Sequence, residues 1–212
     1  VRGRQKCLPL FYLNKKYMSK KIKVDKKLAQ KVIDVVTPGL CNGLGDPTPG
    51  KMCVEAAVNY ACGLEHDDSP PCVGGSVRNF KINLNDGNWS SNKARAKGMI
   101  KIAIAQLGSN KLNQDKFEEL IVEEFTQLAF RKKFDKIVNN KKLSILNKIS
   151  EIKENFYEIE NFSYDDLVNN QCLFNKMSTD KYLTLLADIC LTVLKKMKSP
   201  GCKYLYLLNK YQ

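Results

Sequence analysis

A thiol nucleophile needs a base to take its proton and a third group to orient that base. Residues 53 to 68 hold one of each type: Cys53, His66, and Asp67 or Asp68. Read from its apolar spacing and from Pro49 at its first position, the stretch 49–62 is a helix. Cys53 then lies in or near its first turn, where free amide N–H groups favour a thiolate. The opposing reading is packing. Cys53, Ala57, Tyr60, Ala61 and Leu64 recur at helical spacing, so the same thiol belongs to an apolar stripe, where cysteine behaves as a small hydrophobe. Glu55, Asp86 and Trp89 are the remaining polar and aromatic residues suited to line a pocket beside these groups. Each has a structural use as well: Glu55 complements a helix dipole, and Asn85 with Asp86 makes a turn pair.

A second chemistry, phosphate binding by a glycine loop, is suggested by Gly45-Asp-Pro-Thr-Pro-Gly-Lys51. A working loop of that kind follows a strand, offers free N–H groups and continues with Ser or Thr. Here a helix precedes it, two positions are proline, and residue 52 is Met. Nucleotide hydrolysis is therefore not expected, and no cofactor is implied. A single His and the lack of any C-x-x-C pair give no zinc pattern, so no metal site is expected.

A third group is purely electrostatic. The chain of 212 residues carries a formal charge of +13, and residues 1 to 36 hold 11 basic against 2 acidic side chains. Arg2, Arg4, Lys15, Lys16, Lys20, Lys21 and Lys23 concentrate that charge in one arm. Such an arm attracts a polyanion, either nucleic acid or an anionic membrane surface. The alternative is a solubilising tail. Lys93, Lys97 and Lys101 form a smaller series beside the stripe of Ile100, Ile104 and Leu107.

The elements that must carry these residues are all helical in pattern. Lys20 to Val36 is a basic amphipathic run starting after Ser19 and stopped by Thr37-Pro38-Gly39. Residues 40–50 are a loop by composition, and Gly63 closes the 49–62 helix. Apolar residues at 73, 77, 80 and 84 predict a helix over 72–84, and Ser90 or Ser91 caps another that closes at Gly108. Phe117, Leu120, Ile121, Phe125 and Leu128 continue the pattern, with further periodic segments at 141–155, 164–174 and 179–198 and a tail from Lys203. No segment reads convincingly as a strand. The expected fold is all-α: a basic arm over 1–17, a compact helical block over 18–110, and a longer-helix block over 111–212 that packs as a second unit or with the first.

The string from Gly43 to Ser109, GLGDPTPGKMCVEAAVNYACGLEHDDSPPCVGGSVRNFKINLNDGNWSSNKARAKGMIKIAIAQLGS, resembles a block in uncharacterised bacterial and phage-associated proteins. The resemblance runs through Cys53, Glu55, Ala56, Ala57, His66, Asn85, Asp86 and Trp89. In layout it is similar to a family of unknown function whose Cys-Ala-Gly-Ala-Leu helix is followed by an Asn-Asp pair. What the resemblance implies is that the block is one unit, with no established activity.

No apolar run reaches the 18 residues that a membrane-spanning helix needs, and no secretory signal is recognisable, since Pro9 breaks the short stretch Leu8 to Leu13. The eight cysteines are then expected as reduced thiols in the cytoplasm. The leading functional expectation is a non-enzymatic intracellular helical protein that binds a polyanion through its arm and a protein partner through its body. Its alternative is a thiol-dependent hydrolase or transferase using Cys53, His66 and Asp67.

Overall fold

A computed structural model describes residues 22–140 and 177–211, together with 144, 147, 148, 150 and 151. The fold is all-α. Among the described residues every regular element is helical, and the one strand-like pairing is an isolated antiparallel bridge between Gly45 and Met52. The segments expected at 141–155 and 164–174 lie largely or wholly outside the described residues.

Helix α1 spans Lys26–Val36 and begins later than its amphipathic pattern predicts. Asp25 is the reason: its carboxylate accepts the Leu28 N–H at 3.0 Å, satisfying a donor that the first turn leaves free. The apolar face, Leu28, Ala29, Val32, Ile33, Val35 and Val36, is buried. At the other end the Thr37 hydroxyl donates to the Ile33 carbonyl at 2.7 Å.

The loop that follows folds back on itself before any helix starts. The Cys41 amide donates to the Met52 carbonyl at 3.0 Å, and the Asp46 amide to the Lys51 carbonyl at 2.8 Å. Gly45 makes this possible. Its φ is +71°, and a Cβ there would run into the Lys51 carbonyl and the Cys41 sulfur. Helix α2 therefore covers only Val54–Cys62, with Cys53 as its N-cap rather than a first-turn residue. Pro49 belongs to the turn, not to the helix. Gly63, at φ +69°, closes α2 as the pattern requires.

Helix α3 spans Gly75–Asn85 and α4 spans Asn92–Ala105, the latter capped by the Ser91 hydroxyl accepting the Ala94 N–H at 3.1 Å. After a short 3-10 turn at Ser109–Lys111, α5 runs over Gln114–Val138 from the N-cap Asn113. Helix α6 spans Thr179–Lys196. The terminal stretch is no loose tail. Pro200–Lys210 is a 3-10 helix of 11 residues, far longer than the usual three or four. It is fastened to the start of the fold: the Tyr204 hydroxyl donates to the Val24 carbonyl at 3.2 Å, and Gln30 donates to the Tyr211 hydroxyl at 2.6 Å.

One apolar core joins these elements. It runs without a break from Leu28 and Val36 through Val58, Phe80 and Ile102 to Phe117, Phe125, Leu186 and Leu208. Phe80 of α3 meets Phe117 of α5 edge to face, with ring centroids 6.5 Å apart. Residues on either side of the 110–111 boundary thus share a core, and Ser109 is buried with its hydroxyl accepting the Gly74 N–H at 2.9 Å. No helix among the described residues is long and apolar enough to cross a membrane.

Candidate functional site

Cys53 sits where the folded-back loop turns into α2. Its sulfur accepts the Ala56 N–H at 3.3 Å, and its own N–H donates to the Leu44 carbonyl at 3.2 Å. Only 5% of the residue is exposed. Burial pushes the thiol up to about 11, more than the neighbouring amides pull it down. The helix start thus uses this sulfur as a capping acceptor in its neutral form. Beside it lies a pocket of about 30 Å³, the size of one water molecule, walled by Gly43, Leu44, Asp68, Asn85 and Asp86 among others.

His66 is turned elsewhere. Its Nε2 lies 2.8 Å from the Gly45 carbonyl. A carbonyl can only accept, so Nε2 carries the proton, and the buried Nδ1 has no hydrogen-bond partner among the described residues. No hydrogen bond joins His66 to Cys53 or to Asp67 among the described residues. The Asp67 carboxylate accepts the Asp68 N–H at 2.7 Å, and its backbone carbonyl accepts Asn59 Nδ2 at 2.6 Å. Asp68 instead pairs with Arg78 at 2.6 Å. The structure thus places Cys53, His66 and Asp67 along one loop and helix but gives each a separate partner.

The three residues expected to line a pocket also part company. Asp86 does line the water-sized pocket, and its Oδ1 accepts both the Gly43 amide and Asn85 Nδ2 at 2.9 Å. Trp89 does not, being 8% exposed, with its indole N–H donating to the Leu84 carbonyl at 2.9 Å and its ring lying on Gly98. Glu55 turns into the core, where it meets Lys81 at 2.6 Å with neither side chain exposed at all. Burial raises the Glu55 carboxyl above its ordinary value, and the Lys81 ammonium opposes that. Gln106 lies beside the same carboxylate, yet Glu55 Oε2 and both amide atoms of Gln106 have no partner in hydrogen-bond geometry among the described residues.

Lys81, Gln106 and Arg95 are structural residues that the sequence reading does not single out. Arg95 is 6% exposed and ties three segments together, donating to the Asn85 carbonyl at 2.7 Å, the Leu40 carbonyl at 3.0 Å and Asn92 Oδ1 at 2.8 Å. A signal for Lys81 exists: it stands between Val77 and Leu84 on the apolar arc of α3. For Gln106 the signal is its place in an otherwise apolar run from Ile102 to Leu107.

Of the basic arm, Arg2, Arg4, Lys15, Lys16, Lys20 and Lys21 lie outside the described residues, and Lys23 lies within them. Lys23 opens a series that continues into α1. Together with Lys27, Lys31, Ile22, Leu28, Ala61 and Cys62 it lines an open groove of about 330 Å³ between α1 and the end of α2. Asp25 is the one acid among the described residues lining that groove, and its carboxylate is engaged as the α1 cap. The three lysines are exposed and form no ion pair with another described residue. Lys93, Lys97 and Lys101 are likewise exposed on α4. No cluster of three or more His, Cys, Asp or Glu side chains suited to a metal ion occurs among the described residues.

Compared with known proteins, the chain matches no family model, and no curated protein and no solved structure is detectably similar to it.

Proposed function

We propose that this is a non-enzymatic helical protein of a reducing, intracellular compartment that binds the phosphate backbone of single-stranded nucleic acid through its N-terminal basic face. The observation that carries the reading is the groove lined by Lys23, Lys27 and Lys31, whose ammonium groups have no acidic partner among the described residues. Lys27 and Lys31, four residues apart on α1, recur about every 6 Å along its axis, with Lys23 just ahead of the helix, which suits successive phosphates of an extended strand. The groove is concave, which favours a strand over a flat lipid surface. The arm residues Arg2, Arg4, Lys15, Lys16, Lys20 and Lys21 precede this face in sequence and add charge to the same end of the chain. The six described cysteines are free thiols, in keeping with a reducing compartment. The resemblance over residues 43–109 enters only as a proposed folding unit, which would serve as the body that holds α1 in place.

The test is fluorescence anisotropy with a labelled single-stranded oligonucleotide, in parallel with sedimentation on vesicles rich in anionic lipid. The triple substitution Lys23→Gln, Lys27→Gln, Lys31→Gln is expected to weaken oligonucleotide binding about tenfold or more at low salt, leaving the helical circular dichroism unchanged. Retention on vesicles but not on the oligonucleotide would replace nucleic acid by membrane as the ligand. Equal binding by the parent and the triple variant would overturn the assignment of the groove.

A further inference from the structure

The lysine-lined groove has an apolar half as well as a cationic one. Ile22, Leu28, Ala61 and Cys62 form its floor, and all four are continuous with the core of the body. Leu28 and Ala61 are buried and Ile22 and Cys62 half-buried, while the three lysines stand exposed around them. A phosphate contact needs only the ammonium groups. It uses neither the apolar floor nor the space above it, which at about 330 Å³ falls at the low end of sites that take small organic groups.

We infer that this groove seats a base of the bound strand, with the sugar–phosphate chain following the lysines and the face of the base lying on Ile22, Leu28, Ala61 and Cys62. The inference rests on the nucleic-acid reading and places the part of the ligand that the phosphate contacts leave unplaced. A nucleobase suits both halves of the groove, because its faces are apolar, its polar edges can stay in water, and it is tethered to an anion. A flat ring covers apolar surface that water would otherwise wet, and asks no hydrogen bond of it. The one carboxylate among the described lining residues, Asp25, is already engaged by the Leu28 N–H at 3.0 Å. The seat therefore separates a base from no base, and not one base from another.

Charge selects among the occupants. Residues 1–21, the chain's own leading segment, carry seven basic and no acidic side chains, so the lysines repel it. A second copy of the body brings no negative excess, since residues 37–212 carry 24 basic and 20 acidic side chains. A nucleic-acid strand brings a negative charge with every base. None of the described lining residues is aromatic, so the contact is aliphatic and its effect belongs at the low end of that seen for base stacking.

The test compares a short oligothymidylate with a strand of equal length built of abasic residues, each titrated against the full chain by fluorescence anisotropy across a salt series. The two carry the same phosphates and differ in the group offered to the groove. The thymidylate is expected to bind about fivefold more tightly at every salt concentration, with the two logarithmic plots parallel. Ile22→Ser should shrink that gap to about twofold or less and leave the slopes unchanged. Circular dichroism checks that this variant is folded, and the gap in the parent chain is read without any variant. Equal affinity for the two strands would overturn the base seat and leave the phosphate reading standing, the floor then falling to the leading segment or a second copy. A gap that persists in folded Ile22→Ser would also overturn it, by placing the base away from this floor. Binding of neither strand would overturn the phosphate reading itself, and the base seat with it.

Discussion

At the scale of single residues, the position of Cys53 at the N-cap changes what its replacement should do. A serine hydroxyl is a better acceptor for the Ala56 amide than a thiol, whereas alanine accepts nothing. Cys53→Ala should therefore cost about 1 kcal/mol by denaturant melts and Cys53→Ser less, although Ser places a hydroxyl among apolar neighbours. The opposite order would mean that packing outweighs the cap. The thiol also gives stability a pH dependence. Its folded value of about 11 lies above the ordinary 9.0, and Cys190 is likewise pushed up to about 12 by burial. Below pH 9 both thiols are neutral in either state and this contribution is fully present. It is lost as pH rises through 11 and 12, because the unfolded chain releases those protons first. Midpoints measured from pH 8 upward should fall, and should fall less steeply in Cys53→Ser. The buried pair of Glu55 and Lys81 is the other residue-scale test. Lys81→Met should cost about 3 to 5 kcal/mol, since it strands a carboxylate in the core, while pairing it with Glu55→Leu should recover most of the loss.

Elements differ in how much of them a sequence displays. The start of α4 is legible because its signal is local: Ser91 caps the helix that its side chain touches three residues later. The stripe of Phe117, Ile121 and Phe125 announces α5 for the same reason, since each turn repeats the spacing. The start of α2 is not legible, because Pro49 imitates a first-turn proline while the cause of the delay is the bridge between Gly45 and Met52. The role of Lys81 is hidden for a different reason: its partner Glu55 lies 26 residues away on another helix. Among the site residues expected from the sequence, Cys53, Asp68 and Asp86 meet at one pocket, and His66 is not part of its wall. The terminal 3-10 helix depends on a contact of the same long-range kind. Gly201 lies against the carbonyls of Ile104 and Ala105, where no Cβ fits, and Ser199 donates to the Ala105 carbonyl at 2.5 Å. Gly201→Ala should push this helix off α4, and the result should appear as a lowered melting temperature with faster amide exchange around Tyr204 and Leu207. An unchanged exchange pattern there would show that the close approach is not needed.

The whole molecule joins a nearly neutral, tightly packed helical body to a strongly basic leading end. Residues 37 to 212 carry 24 basic and 20 acidic side chains, so the body contributes a small share of the field, and +9 of the net +13 lies in the arm and α1. A ligand held by that field is bound by counterion release, which makes its affinity fall linearly on a logarithmic salt scale. The slope counts phosphate contacts directly, and it separates loss of charge from loss of fold. Affinity for a single-stranded oligonucleotide should therefore be measured across a salt series for the parent chain and for the Lys23→Gln, Lys27→Gln, Lys31→Gln variant. Three lost contacts should flatten the logarithmic slope by roughly 2, at about 0.7 per contact for a single strand. Parallel lines of equal slope would contradict the account, because the groove lysines would then make no phosphate contact.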